Sequence, residues 1–554
     1  MKLGSAQPIV RPTPEFAISP LRRRFVAFTV YLAFVAVQFY SADRSGNFWW
    51  YDSASHALNG VFLRDFFAGN GWSSPLAFTV SYFAQYPGIT IGFYPPGFAA
   101  LLAVFYAVFG VGHAAAQLCL SGATLALALG THALAIRCGM RFWPAFCAGL
   151  LAIGFPEMLI WSRQIQPELP AYAFVVWSIY FLLRWLDEQC PHQLLLAVVL
   201  FVFGLYVKQT VCFLAPVLLL IVIVERGWRV FRQRDVYTAA AVAIMLMVPL
   251  AVLTLTLGNF NMTQAAATPG MRSLLKSITY YVQVLPQQVG WLPLIAALAG
   301  IVVLLRHDFA SPRLRWLLVS WVATGLVFFT SIALKSPRFS TAVLPAVAIL
   351  AVVPLIYARV PRWADFAAVG VTATIAAYWL ATVPAPSLTG AREAAEVSAR
   401  TAEPNSNILL LAHHSANFIF AMRVYIERRD VRTLRAEKLY TTYKISQHFG
   451  QAQGREMDAS ALLEDLAAHN VSTVVLQRGF WRNVMILQLL ESLVHGPNFV
   501  LIESIKLEPN HATGPVEFLD VYRRLDYKPR PEREIVLDIP LLGRRFSIPP
   551  QLRP

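Results

Sequence analysis

Charge is scarce in this sequence: Asp, Glu, Lys and Arg make up 14% of its 554 residues, where soluble domains carry roughly 25%. With 57% hydrophobic residues and a mean hydropathy of +0.53, that scarcity excludes an ordinary soluble protein and indicates a polytopic membrane protein. Cysteine is sparse too. Cys119, Cys138, Cys147, Cys190 and Cys212 all fall in the apolar part, and none stands at a metal-ligand or redox spacing; they read as small core residues. The chain has no repeats and no low-complexity tracts. Acid is the thinner charge, 31 Asp and Glu against 46 Lys and Arg, for a net +15. A polyanion partner is the weaker reading of that excess, because the basic residues cluster in short connections between apolar runs, as the positive-inside rule expects.

What is present is a succession of apolar runs of spanning length, about 17–25 residues when complete. They centre on 25–40, 113–136, 143–162, 168–186, 194–207, 210–224, 236–257, 291–305, 315–334, 339–358 and 364–383. The segment 1–24, through Arg22-Arg23-Arg24, lacks an h-region followed by a cleavage site, so Phe25–Tyr40 reads as a retained first span. Arg137/Arg141, Arg226/Arg229/Arg232/Arg234, Arg306/Arg313/Arg315 and Arg359/Arg362 fall on alternate connections. Placing them inside with the N-terminal arginines gives 11 spans over residues 25–384; the reading extends to 13 if further apolar pieces cross. Pro95–Gly112 is the piece that tests the count. Pro95-Pro96 and Gly110/Gly112 leave only a short stretch between breakers, so it is expected to be membrane-associated or re-entrant.

On this topology residues 41–112 form a long first outer loop and 258–290 a second, the latter carrying Arg272, Lys276, Tyr280 and Tyr281. Past Pro384-Ala385-Pro386 the composition becomes that of a soluble domain, 385–554, outside the cytoplasm by parity. Strands at 408–411, 471–476, 499–505 and 517–522 alternate with helices at 416–427, 459–469 and 484–494, which implies a small α/β layer structure. It holds no Gly-rich phosphate loop, metal cluster or nucleophile elbow, and no catalysis is assigned to it.

The most informative segment is Trp49-Trp50-Tyr51-Asp52-Ser53-Ala54-Ser55-His56, just after the first span. Its aromatic frame belongs at the membrane–water boundary, where carboxylates are expensive and usually kept for function. Asp52 is the foremost candidate: a carboxylate there can take a proton from an attacking hydroxyl. It could equally be the N-cap of a helix starting near Ser53. Asp43, nearer the end of the first span, reads as a loop residue. His56, four residues on, would share a helix face with Asp52 and could bind a phosphate, bind a metal or orient Asp52. Glu168, in Gln166-Pro167-Glu168-Leu169-Pro170, opens a span on the outer side; helix capping is its ordinary role, and a second carboxylate facing Asp52 would also suit a metal or an acceptor hydroxyl. Arg163, Lys208, Arg272, Lys276, Lys335 and Arg338 are outer-face cations. Some are snorkelling anchors, but Lys335-Ser336-Pro337-Arg338-Phe339 puts two cations directly before a span, where they could neutralise a departing phosphate.

These residues, taken in order, resemble the GT-C superfamily of integral-membrane glycosyltransferases, most closely the bacterial branch related to protein O-mannosyltransferases and the lipid A aminoarabinose transferase. The resemblance rests on Tyr51-Asp52 with His56, Tyr94-Pro95-Pro96-Gly97-Phe98, Gln166-Pro167-Glu168-Leu169-Pro170, and Lys335-Ser336-Pro337-Arg338-Phe339 followed by Leu344-Pro345-Ala346, and covers roughly residues 25–360. It implies a GT-C-like helical membrane fold and transfer of a sugar from a polyprenyl-phosphate-linked donor to a hydroxyl on a glycan, lipid or protein acceptor. That setting is the outer face of a bacterial inner membrane, with membrane lipids as partners and no nucleic acid. The family's first-loop carboxylate maps onto Asp52, the general base of an inverting displacement. Many members have Asp-Glu where this chain has Asp52-Ser53, which puts a divalent metal in doubt; Asp52, His56 and Glu168 are the candidate ligands. The lipid phosphate would lie near Lys208, Lys335 and Arg338, with His56, Arg163 and Glu168 also facing substrate and Tyr280 and Tyr281 closing over the donor. Rival readings are a flippase for a lipid-linked glycan, which predicts inverted repeats and charges within spans, a non-catalytic envelope scaffold, and an O-antigen ligase or polymerase.

Overall fold

The computed structural model describes residues 19–90, 92–257, 271–306, 312–332, 335–357, 363–426, 428–443, 452–480, 483–511, 516–539 and 544–548. The N-terminal segment before residue 19, the first half of the second outer loop (258–270) and the side chain of Arg272 lie outside that description.

All eleven apolar runs are helical. The first part of the chain forms α1 (Pro20–Ser41), α2 (Tyr51–Ala68), α3 (Pro75–Gln85), α4 (Gly97–Phe109), α5 (His113–Arg137), α6 (Phe142–Gly154), α7 (Pro156–Trp161), α8 (Glu168–Glu188), α9 (Pro191–Val207), α10 (Ala215–Arg226) and α11 (Arg234–Thr256). Trp291–Arg306, Pro312–Ser331, Pro337–Ile356 and Trp363–Thr382 follow. Among the described residues eight helices are long and apolar enough to cross a membrane alone, or nine if one bent pair is counted as a span. The run read at 143–162 is broken: Phe155 is extended (ψ 144°) ahead of Pro156, as a residue before proline prefers, so α6 stops and α7 restarts. The molecule is thus a multi-pass membrane protein.

Helix α4 has 13 residues, about 20 Å of helix, short of a hydrocarbon core of about 30 Å. It packs on α2, α5 and α9 and turns Val104, Val108 and Phe109 outward, consistent with a membrane-associated segment. A Cβ at Gly60 of α2 would stand 2.6 Å from Leu102 Cβ of α4, so glycine is what lets these two helices meet.

The segment read as the second outer loop is helical in its described part. Met271–Val289 is a helix, and it turns into Trp291–Arg306 through a 114° bend. Gly290 makes the bend at φ +77°, a left-handed conformation that favours glycine, and a Cβ there would lie 2.4 Å from the Trp379 ring.

Burial orders the bundle. In α8 and in Pro337–Ile356, 72% of the spanning residues are buried, against 11% in α11. Of the eight helices long enough to cross a membrane alone, the two most enclosed are those that begin beside Glu168 and Arg338, so both residues are delivered to the bundle axis at one end.

The C-terminal domain is a six-stranded sheet of order β1-β7-β8-β6-β2-β3, with β1 Leu388–Thr389, β2 Asn407–Leu411, β3 Arg432–Arg435, β6 Val471–Gln477, β7 Phe499–Pro509 and β8 Glu517–Arg524. The strands β2, β3 and β6 are parallel and the others antiparallel. Strands β2 and β6 are buried along their whole length, as central parallel strands are. Alternation divides them between two layers: Ile408 and Leu410 join the cluster with helices Ala391–Thr401 and Ser415–Val424, while Leu409 and Leu411 join Leu462, Leu466, Ile486 and Leu490 on the other face. Hairpins β4–β5 (Thr441–Tyr443, Ala452–Gly454) and β9–β10 (Ile535–Ile539, Arg544–Ile548) complete it.

The sheet's inner layer rests on the first outer loop. Helix Ser415–Val424 packs on α2, Arg423 pairs with Asp65, and the Tyr82 hydroxyl donates to that carboxylate at 3.0 Å. Asn417 Nδ2 donates to the Phe48 carbonyl at 2.7 Å, and the Arg392 amide to Asn47 Oδ1 at 2.8 Å.

Candidate active site

The first turn of α2 carries Asp52. Trp50 occupies the N-cap position without a side-chain hydrogen bond to the helix, so the capping role offered to Asp52 from sequence is not the one it plays. Its carboxylate instead accepts from Trp50 Nε1 at 3.3 Å and from the Arg338 guanidinium at 3.4 Å, and the Tyr94 hydroxyl reaches it as well. Burial and the Asp52 charge hold the Tyr94 phenol well above its ordinary value, so it stays a donor. Asp43 makes a loop turn, its Oδ1 accepting the Ser45 amide at 2.8 Å.

Arg338 is the hub. Besides Asp52, it donates to Gln166 Oε1 at 3.2 Å, and its Nε lies 3.8 Å from Glu168 Oε1. Its guanidinium lies 5.2 Å from the Trp50 ring centroid, 5.5 Å from Phe339 and 5.9 Å from Trp161, a cation–π cage. Gln288 steadies the turn that carries it: Nε2 donates to the Pro337 carbonyl at 2.6 Å, and Oε1 accepts from Ser340 Oγ at 2.9 Å.

Glu168 begins α8 with a side chain 0% exposed and forms an ion pair with Lys208, which ends α9. Its second oxygen, Oε2, is buried with no hydrogen-bond partner among the described residues. An unsatisfied buried acceptor is costly, and its persistence marks a place where a further donor fits. The four charges come from four separate segments, each at a helix end on the same side of the bundle. Two carboxylates and two cations balance.

His56 is 4% exposed, and its ring lies 4.4 Å from that of Tyr94 and 5.4 Å from that of Phe98. Burial, the largest cause, pushes its pKa down to about 4 against the pull of Asp52 and Glu168. It is a neutral packing partner behind Tyr94.

Four residues read from sequence as substrate cations or lids have these contacts. Arg163, 2% exposed, donates to the carbonyls of Leu159, Val383 and Pro384; with Gln164 on Pro386, it ties the linker of the C-terminal domain to the loop before Glu168. Lys335 donates to the carbonyls of Phe329, Thr330 and Ile332, closing the end of Pro312–Ser331 as a C-terminal cation does, and lies 5.9 Å from the Tyr281 ring. Tyr281 is 3% exposed and is packed into the bundle with Tyr280 edge-on at 5.1 Å. Both tyrosines lie on the helix Met271–Val289.

Among the described residues no group of three His, Cys, Asp or Glu converges as a metal site. Asp52 is turned to Arg338, Glu168 to Lys208 and His56 to aromatic rings, so the candidate ligands do not fit a divalent ion. Sequence reasoning missed Tyr94, Trp161 and Gln288 as parts of the site. Only Tyr94 carried a signal, its place in the Tyr94-Pro95-Pro96-Gly97 motif.

A bundle of this topology, with a charged cluster at the first-loop end and an α/β domain packed on that loop, defines a polytopic membrane protein of the GT-C fold. Residues 94–253 match the family model described as dolichyl-phosphate-mannose-protein mannosyltransferase. The chain is similar in structure to ArnT from Cupriavidus metallidurans in the apo state, with TM-score 0.60, 15% identity and coverage of 91% of this chain and 98% of that one. It is similar also to ArnT from the same organism bound to undecaprenyl phosphate, with TM-score 0.58, 14% identity and coverage of 90% and 98%. Comparison with curated protein sequences finds no match.

Proposed function

We propose that this protein transfers a sugar from a polyprenyl-phosphate-linked donor to a hydroxyl acceptor at the outer face of a bacterial inner membrane, with inversion and with Asp52 as general base. The observation that carries the reading is the contact of Asp52 with Arg338 beside the buried Glu168–Lys208 pair. Similarity in fold to a protein solved with undecaprenyl phosphate supports the donor class. The arginine-rich connections at the opposite end of the bundle support the orientation.

Asp52 suits the base better than Glu168. Its side chain keeps 22% exposure, while that of Glu168 keeps none. The acceptor hydroxyl gives its proton to Asp52 as its oxygen attacks the anomeric carbon. The bond from that carbon to the phosphate oxygen breaks, and the phosphate leaves with the electron pair. The donor is a phosphodiester of charge −1, and the product phosphate gains a second negative charge. Asp52 loses its charge in the same step, so its hold on Arg338 is released as the phosphate begins to need a cation. Lys208 and Arg338 form the phosphate side of the site, and Trp50, Trp161 and Phe339 keep water from the guanidinium.

The test is transfer from a panel of radiolabelled polyprenyl-phosphate sugars into membranes, comparing wild type with Asp52→Asn at equal expression. The expected result is transfer by wild type that falls by about three orders of magnitude in the variant, the range of general-base catalysis. Undiminished transfer by the variant would overturn Asp52 as base. No transfer from any donor, with labelled native acceptor membranes present, would overturn the donor class.

A further inference from the structure

One edge of the C-terminal sheet faces the first-loop cluster. Strands β2 and β6 are parallel neighbours. The helix after β2, Ser415–Val424, lies on one face of the sheet, and the helix after β6, Met485–Val494, lies on the other. Where consecutive connections leave to opposite faces, the carboxyl ends of the two strands border a crevice, the switch point at which open α/β sheets bind ligands. Its walls here are His413 and His414 after β2 and Gln477 to Phe480 after β6. Gln477 Oε1 accepts the His413 amide at 2.8 Å, joining the two walls, and Phe480 lies 5.7 Å from the His413 ring.

This edge meets the first outer loop at the site. His413 lies 5.1 Å from the ring of Tyr51, the residue beside Asp52. His511, in the turn that follows β7, lies 5.5 Å from the Trp49 ring. Tyr51 is 44% exposed, and both histidines are exposed. His414 Nδ1 is buried with no hydrogen-bond partner among the described residues. Arg478, the described cation of this edge, is paired with Asp520. Gln477 is buried, its Nε2 donating to Glu517 at 2.9 Å, so it braces the edge, and the surface offers aromatic faces with imidazole and carboxylate groups between them. Flat rings that cover the C–H face of a pyranose, with a few polar groups placed for its hydroxyls, are how such a surface recognises sugar.

We propose that this crevice, faced by Trp49 and Tyr51, seats the carbohydrate part of the acceptor, so that the hydroxyl to be glycosylated belongs to a sugar and reaches Asp52 from the C-terminal domain. The proposal rests on the transferase reading above and specifies its acceptor.

The test is equilibrium binding of fluorescently labelled oligosaccharides, released from the envelope of the native host and stripped of lipid, to the full-length protein in nanodiscs without donor. Wild type is expected to bind them, and His413→Ala and Phe480→Ala to weaken binding at least tenfold with unchanged thermal unfolding. Restoration by His413→Gln would show that hydrogen bonding is what is lost. Equal affinity in wild type and both variants would overturn the site. Failure of wild type to bind any fraction would overturn the carbohydrate assignment. Because the assay holds no donor, its outcome is separate from failure of the transfer reaction.

Discussion

The two ends of the membrane bundle carry ion clusters of opposite character. At the arginine-rich end, Arg137, Arg184 and Arg313 meet Asp187, Glu188 and Glu225 at 2.7–2.9 Å. These side chains are 14–36% exposed, so water shares the load. At the first-loop end, Arg338 stands 3.4 Å from Asp52 and 3.8 Å from Glu168, inside an aromatic cage, next to a carboxylate oxygen with no hydrogen-bond partner among the described residues. Close exposed pairs hold helices together at little net energy. What sets the first-loop end apart is Glu168, fully buried, whose second oxygen keeps interaction capacity in reserve.

The largest effect expected from breaking this contrast is on chemistry. Asp52→Asn should lower the transfer rate about a thousandfold while leaving thermal unfolding in detergent within 2 °C of wild type. Arg338→Lys keeps the charge but loses the fork that spans Asp52, Gln166 and Glu168; transfer should fall about a hundredfold, read as kcat in membranes at saturating donor. Glu168→Gln should act on stability as well, by about 3–5 kcal/mol, because it leaves Lys208 buried without its partner; adding Lys208→Met should recover part of that loss in thermal unfolding.

Acid sharpens the comparison further. His56 is held neutral, its pKa lowered by burial from 6.5 to about 4. The unfolded chain therefore takes up a proton at higher pH than the folded one. Stability from this group is complete above about 6.5 and declines as pH falls towards 4, by about 3 kcal/mol in all. His56→Asn should flatten that part of the stability profile. The smallest effect belongs to the other end: Arg313→Ala, despite two acidic partners, should cost about 1 kcal/mol and change transfer less than twofold.

Much of the fold was legible. All eleven hydrophobic runs are helices, since an apolar run must satisfy its own backbone in lipid and only a helix does so within one segment. The strands read at 408–411, 471–476, 499–505 and 517–522 and the helices between them were visible as short apolar runs alternating with helical segments. The short helix Ala391–Thr401 and strand β3 were not. The helix has four alanines in eleven residues, its stripe of Ala394, Ala395 and Val397 too mild to announce a buried face, and β3 carries arginines that only its neighbours neutralise. Asp52, Glu168, Lys208 and Arg338 were each legible as charges at span ends.

The sequence by itself determined that the chain crosses a membrane many times, which end of each helix carries charge, and that an α/β domain follows, because hydrophobic period and charge placement are local properties. Only the tertiary structure decided which cations serve the site. Arg163 and Lys335 looked equal to Lys208 and Arg338 from composition, yet their donors are taken by backbone carbonyls. Whether a guanidinium meets a carboxylate or a carbonyl depends on which helix ends converge in space, and residues 52, 168, 208 and 338 are brought together by packing that no local pattern records.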